Sequence, residues 1–270
     1  MIEKLLPLAE MADAVLRTAD ARAKTALSRR YAALWQAARD AGETPDIGTA
    51  SPPDSPARPA RPALLDPRDV PRRKPGSPQG RIAILHAVAH IEFNAIDLAA
   101  DMVARFGSDP RISDKNRTAF IQDWVTVCDD EARHFTMICG RLAQFGSEYG
   151  AMPAHNGLWE AALSTKDNIA ARLAIAPMVL EARGLDVTPG MIEKLNSAGD
   201  KESAAILEVI LSEEVAHVAA GVRWFEYLCA RESRDKEEHF KTLVDQHFKG
   251  KLKPPFNRAA RNKAGMSDSF

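Results

Sequence analysis

An all-α fold built around a four-helix bundle, with extra N-terminal helices, a proline-rich covering arm and a C-terminal helix plus basic tail, is predicted by three features of this 270-residue sequence. Apolar residues recur at alternating steps of three and four over several long stretches, the stripe by which one helix faces others. No stretch alternates apolar and polar residues as a half-buried strand would. Ten of the 17 prolines fall between Pro45 and Pro78, where the lost amide donors disfavour both helix and sheet.

Residues 8–41 contain no Gly or Pro and read as two helices broken near Thr18 to Asp20, with Asp20 capping the second. Residues 1–44 are thus a helical appendage. Residues 45–80 are the extended arm, and Leu64, Leu65 and Val70 are its expected anchors. The bundle occupies 81–232. Its first helix carries Ile82, Leu85, Ala89, Glu92, Ile96, Ala99 and Val103 on one stripe, so a glutamate lies inside the apolar face. The second, about 116–145, aligns Ile121, Trp124, Cys128, Glu131, His134, Ile138 and Leu142 in the same way. A long connection follows, with a short helical piece near 158–163.

The third bundle helix is expected from a cap at Thr165 to Arg183, stopped by Gly184 and kinked at Pro177 one turn before Glu181. Thr188-Pro189 is expected to open a minor helix. Asp200 caps the fourth, whose inward stripe is Leu207, Leu211, Glu214, His217 or Val218, Gly221 and Phe225. Residues 233–270 are a last helix, about 236–248, and a basic tail.

The bulk numbers exclude several classes. Apolar residues make up 45%, ordinary for a globular protein, and 36 Lys and Arg against 37 Asp and Glu leave a formal net charge of -1, so overall charge implies no acidic partner. Three cysteines without Cys-x-x-Cys spacing disfavour a disulfide framework and a thiolate metal site. The N-terminus has mixed charges and a proline where a signal peptide carries its apolar run, and no stretch nears about 18 uninterrupted apolar residues. A soluble chain in the reducing cytoplasm, without a membrane, is the expectation.

The polar groups on the inward stripes carry the chemistry. In chain order they are Glu92, Glu131 with His134, Glu181, and Glu214 with His217. Residues three apart on a helix point nearly the same way, so each Glu-x-x-His presents a carboxylate and an imidazole to one point on the bundle axis. With one further glutamate on each of the other two helices, this is the ligand pattern of ferritin-like di-iron and di-manganese carboxylate bundles. Four carboxylates crowded into a low-dielectric core repel one another, so a metal-free site should take up protons, and a pair of divalent cations would offset the charge. Open coordination positions would remain for water or dioxygen.

One Glu-x-x-His arises by chance in roughly a third of chains this long; two copies, each on an apolar stripe and each preceded by a helix with its own inward glutamate, carry the argument. Glu193 is a local rival to Glu181. His90, two positions from Glu92, is turned about 200° away, and His86 is also off the ligand stripe. His155 reads as a turn residue, and Asp130 and Glu213 as members of solvated helix faces.

From about residue 64 to 265 the chain resembles a bacterial ferritin-like family of unknown function. The resemblance lies in His86-Ala-Val-Ala-His-Ile-Glu92, Asp130-Glu-Ala-Arg-His-Phe135, Pro153-Ala-His-Asn-Gly-Leu-Trp159, Leu180-Glu-Ala-Arg-Gly-Leu-Asp186, Glu214-Val-Ala-His-Val218 and Pro254-Pro-Phe-Asn257. It implies a ferritin-like bundle and the same six ligands. More distantly the chain is similar to tRNA-hydroxylating di-iron enzymes, an analogy of fold and ligands only.

The leading expectation is a non-haem di-iron oxidase or oxygenase, manganese being the alternative metal, with chemistry at the di-metal centre and an unknown small-molecule substrate beside dioxygen or peroxide. Iron oxidation or peroxide handling without an organic substrate is the second reading, and a metal-stabilised binding protein the third. Two basic segments, Arg58 to Arg81 and Lys249 to Lys263, are expected to cover the bundle and not to bind nucleic acid, since they lack the aromatic interleaving that would stack bases. The sequence leaves the oligomeric state open, a homodimer included.

Overall fold

The computed structural model describes residues 6–66, 68–70, 77–267 and 270; Arg72, Arg73 and Lys74 of the first basic segment lie outside them. The fold is all-α. Among the described residues extended structure is limited to one isolated bridge between Leu64 and Ala154. In order, α1 is Leu8–Arg17, α2 Ala21–Asp40, α3 Pro78–Phe106, α4 Asp114–Gln144, α5 Gly157–Ser164, α6 Ile169–Ile175, followed by a π-helical segment Ala176–Glu181, then α7 Ala182–Ser197, α8 Lys201–Arg231, α9 Lys236–His247 and α10 Arg258–Lys263. The chain divides into two compact units, Met1–Arg61 with His90–Thr136, and Pro62–Ala89 with Met137–Phe270.

In the first unit the arm completes the helices it crosses. Pro7 at the start of α1 offers no side-chain cap, and the orphan amides of Leu8 and Ala9 donate instead to the carbonyls of Asp46 and Ile47 at 2.9 Å. Asp20 caps α2, accepting from the Ala23 amide at 2.8 Å, as expected. α2 turns Tyr31 and Trp35 inward, and the Trp35 indole donates to Gln122 of α4 at 2.7 Å.

Lys24, on the same helix, is wholly buried and pairs with buried Asp97 of α3, its ammonium also donating to the Ala57 carbonyl of the arm at 3.1 Å. Arg58 of the arm reaches Asp97 at 3.1 Å and Asn94 at 2.7 Å. Burial lowers the Lys24 pKa and raises that of Asp97, each against the pull of its partner. Such a pair is held by geometry, because desolvating it costs about as much as the attraction returns.

α3 is therefore buried on two sides. One carries Glu92, and the other carries Phe93 and Asp97 beneath α2 and the arm. By length and composition this helix would pass for a membrane span, yet 72% of its apolar window is buried within the protein.

The second unit is organised around α8. Asp200 caps it, accepting from the Ser203 amide at 3.1 Å, and also receives Arg141 from the end of α4 at 2.7 Å and Arg81 from the start of α3 at 3.6 Å. Leu64 and Leu65 stay exposed; the arm is fixed here through its backbone, by Leu65 N–H to the Ala154 carbonyl at 2.8 Å and Ala154 N–H to the Ala63 carbonyl at 3.0 Å. Buried His86 secures the same loop. Its Nε2 accepts from the amides of Gly150 at 2.9 Å and Met152 at 3.4 Å while the ring stacks on Tyr149, and burial lowers its pKa, in keeping with an acceptor nitrogen. His155 Nδ1 accepts from the Gly157 amide at 3.2 Å, a turn role.

The third bundle helix differs from expectation in three ways. Asn168, not Thr165, is its cap, accepting from Ala170 at 3.0 Å; Thr165 closes α5 and accepts from buried Arg172 at 2.9 Å. Pro177 falls in a π-helical segment, whose wider turn accommodates a residue without an amide donor. Finally, α7 runs through Gly184 and Pro189 to Ser197. An interior proline typically costs about 3 kcal/mol, partly because the carbonyl four residues back loses its donor. Here that carbonyl, on Leu185, accepts from the Asn257 side chain at 3.1 Å. The basic tail is accordingly partly helical and docked, α10 packing on α7 and α8.

Candidate metal centre

In the first unit the register of α3 against α4 is set beside the candidate ligands. Phe93 follows Glu92 and Phe135 follows His134, and the two rings pack with centroids 5.3 Å apart. Lys24 and Arg58 lie over the Phe93 ring at 5.1 and 5.2 Å. Glu92 and His134, one position back from the two rings, and Glu131, one turn before Phe135, are all buried. His134 Nδ1 lies 3.1 Å from Glu92 Oε2 and 3.6 Å from Glu131 Oε2, and the three offer ligand atoms within 4.8 Å of one another. Three of the six expected ligands are thus brought together here.

In the second unit α8 carries buried Glu214 and His217, with Oε2 and Nδ1 3.5 Å apart. Glu181, half-buried, closes the π segment. What sets that segment against α8 is Gly221: a Cβ there would lie 2.4 Å from Cγ and 2.5 Å from Cβ of Pro177. The pyrrolidine ring therefore sits in a notch that only glycine provides. Pro177 is four residues before Glu181 and Gly221 four after His217, so this contact governs the depth at which the Glu181 segment meets the helix bearing His217.

The electrostatics show what the first cluster wants. Burial alone would lower the His134 pKa, but the hydrogen bonds and charge of Glu131 and Glu92 outweigh it and push it up to about 11. Without a metal, then, the carboxylates favour an imidazolium at His134, whose charge would offset part of theirs. Because this pKa is raised from 6.5, its contribution to stability is complete below that value and is lost as pH rises through about 11. Two carboxylates and one imidazole, buried and converging, are an oxygen and nitrogen donor set suited to a divalent iron, manganese or zinc ion.

A ligating imidazole must be neutral, so metal binding at pH 7 will expel the His134 proton. Heats of binding measured in buffers of different ionisation enthalpy will show release of at least about one proton, and affinity will rise about tenfold per pH unit between pH 6 and 9. Buffer-independent heats would contradict the placement of that proton.

Two other expectations resolve locally. Asp130 pairs with Arg133 at 2.8 Å on a partly exposed face. Of the basic segments, Arg58, Arg81 and Arg261 are ion-paired within the protein to Asp97, Asp200 and Asp186. Asp186 and Lys24 were not legible as structural centres, since each looks like an ordinary helix-surface residue in its own stretch.

Fold and site define an all-α bundle protein with a buried Glu and His cluster able to hold a metal ion. The chain belongs to the family described as "Protein of unknown function (DUF455)", whose model matches residues 17–270. It is similar to an "Uncharacterized protein" of Haemophilus influenzae, 39% identical over 211 residues, covering 78% of this chain and 73% of that one. No solved structure matches the chain.

Proposed function

We propose that this chain is a ferritin-like di-metal carboxylate protein in which Glu92, Glu131, His134, Glu181, Glu214 and His217 hold a pair of ions, iron before manganese, and that it acts as an oxidase or oxygenase toward dioxygen and a small organic substrate. The observation that carries the reading is the buried trio of Glu92, Glu131 and His134, with the same carboxylate and imidazole pairing repeated at Glu214 and His217. Buried carboxylates are costly unless their charge is matched, and a divalent cation matches it better than a single proton. Bound Fe(II) would supply electrons for the reduction of dioxygen. The residues themselves would bind through carboxylate oxygens and neutral imidazole nitrogens and keep bulk water away through their burial. Two nitrogen donors favour retention of the metal over its transit. The thiols of Cys128, Cys139 and Cys229 suit a reducing cytoplasm.

Excess Fe(II) supplied in air will be oxidised for about one turnover per site and then stop, the Fe(III) staying bound until an external reductant is added. Sustained oxidation of many equivalents, with a growing ferric mineral or with peroxide as the preferred oxidant, would contradict this reading in favour of an iron or peroxide handler.

A further inference from the structure

The turn that follows Glu181 is gripped by a part of the chain 70 residues further on. Arg183 donates to the carbonyls of Lys253 at 2.8 Å and Pro255 at 3.1 Å. Asp186, buried, accepts from the Asn257 amide at 2.9 Å and from two guanidinium nitrogens of Arg261 at 2.9 and 2.7 Å. The Asn257 side chain donates to the Leu185 carbonyl that Pro189 leaves without a helical donor, and its oxygen caps α10 through the Ala260 amide at 3.2 Å. Arg261 is itself held over Phe256 at 5.1 Å, and α10 leads into buried Met266.

We infer that residues 253–261 form a latch that positions Glu181, with Asp186 and Asn257 as its positioning residues; this rests on the reading of Glu181 as a ligand. All the grips fall on Arg183, Leu185 and Asp186, the turn and a half of helix after Glu181. That stretch lies between a π turn and an interior proline, where the helix's own hydrogen-bond ladder is weakest. The tail supplies the donor that the ladder lacks at Leu185, and braces the turn from outside with carbonyl acceptors for the Arg183 guanidinium and a bidentate Arg261 and Asp186 pair whose planar geometry tolerates little rotation. From the other side Pro177 is seated against Gly221. Glu181 is thereby fixed between two anchors, as a ligand that must be held within about 0.5 Å of a productive position requires.

The test uses the full chain with Asn257→Ala and, conserving volume, Asp186→Asn. Anaerobic titration with Fe(II) against a competing chelator is read beside hydrogen exchange at residues 182–189 of the metal-free protein. Both variants are expected to exchange faster there and to bind one of the Fe(II) ions about 10–100-fold more weakly, the other being unchanged. Lys263→Ala, on the same short helix but outside the latch, is expected to alter neither. Faster exchange with undiminished Fe(II) affinity would reduce the tail to a seal on α7 and overturn the inference while leaving the di-metal reading in place. Absence of Fe(II) binding by the unaltered protein would overturn both.

Discussion

Lys24→Ala will destabilise the fold by about 3–5 kcal/mol, the usual consequence of removing one partner from a buried ion pair and leaving the other charged and desolvated. Lys24 and Asp97 have no side-chain exposure, and the ammonium also ties the arm through the Ala57 carbonyl. Arg58 gives Asp97 some remaining compensation, so Asp97 will move toward Arg58 and Asn94 and the arm will loosen. Replacing both members with apolar residues of similar volume, Lys24→Met with Asp97→Leu, will recover most of the loss, because the desolvation penalty goes with the charges. Denaturant unfolding of the two variants beside the parent chain decides the matter. A loss below about 1 kcal/mol for the single variant would place Lys24 among ordinary surface lysines, whose pairs contribute about that much at most.

Gly221→Ala will act in the opposite sense to helix propensity. In an open helix position, alanine for glycine gains about 1 kcal/mol. Here the added Cβ would lie 2.4 Å from a ring that cannot swing aside. Overpacking of that kind costs about 1–3 kcal/mol, so the net effect will be a loss of stability, and the π segment will shift away from α8. Metal affinity will fall with it, since Glu181 and His217 lie one turn from the contact on either side. Thermal melts with and without Fe(II) read both effects. A raised melting temperature with intact affinity would show that the notch has no positioning role.

Much of the fold could be read from local pattern because its causes are local. Asp20 and Asp200 precede their helices as cap residues should, and the stripes place Glu92, Glu131 and His134 inside. The third bundle helix could not be read this way. Pro177, Gly184 and Thr188-Pro189 are all breakers by local rules, yet the helix runs through Gly184, and the two prolines are settled at a distance, at Gly221 for the first and at Asn257 for the second. His86 was legible as off the ligand stripe, but its work is done on a loop about sixty residues away, at Gly150 and Met152. The Glu-x-x-His pairs were legible because a spacing of three suffices to put both side chains on one face, and the observed separations of 3.6 and 3.5 Å follow from it.

Whether two matched carboxylate and imidazole pairs hold a pair of metal ions is decided by metal analysis of the full chain loaded with Fe(II) under anaerobic conditions. About two ions per chain are expected, with His134→Ala and His217→Ala each losing tight binding of at least one while the helical fold persists. Full metal content in both variants, or none in the parent chain, would contradict the di-metal reading.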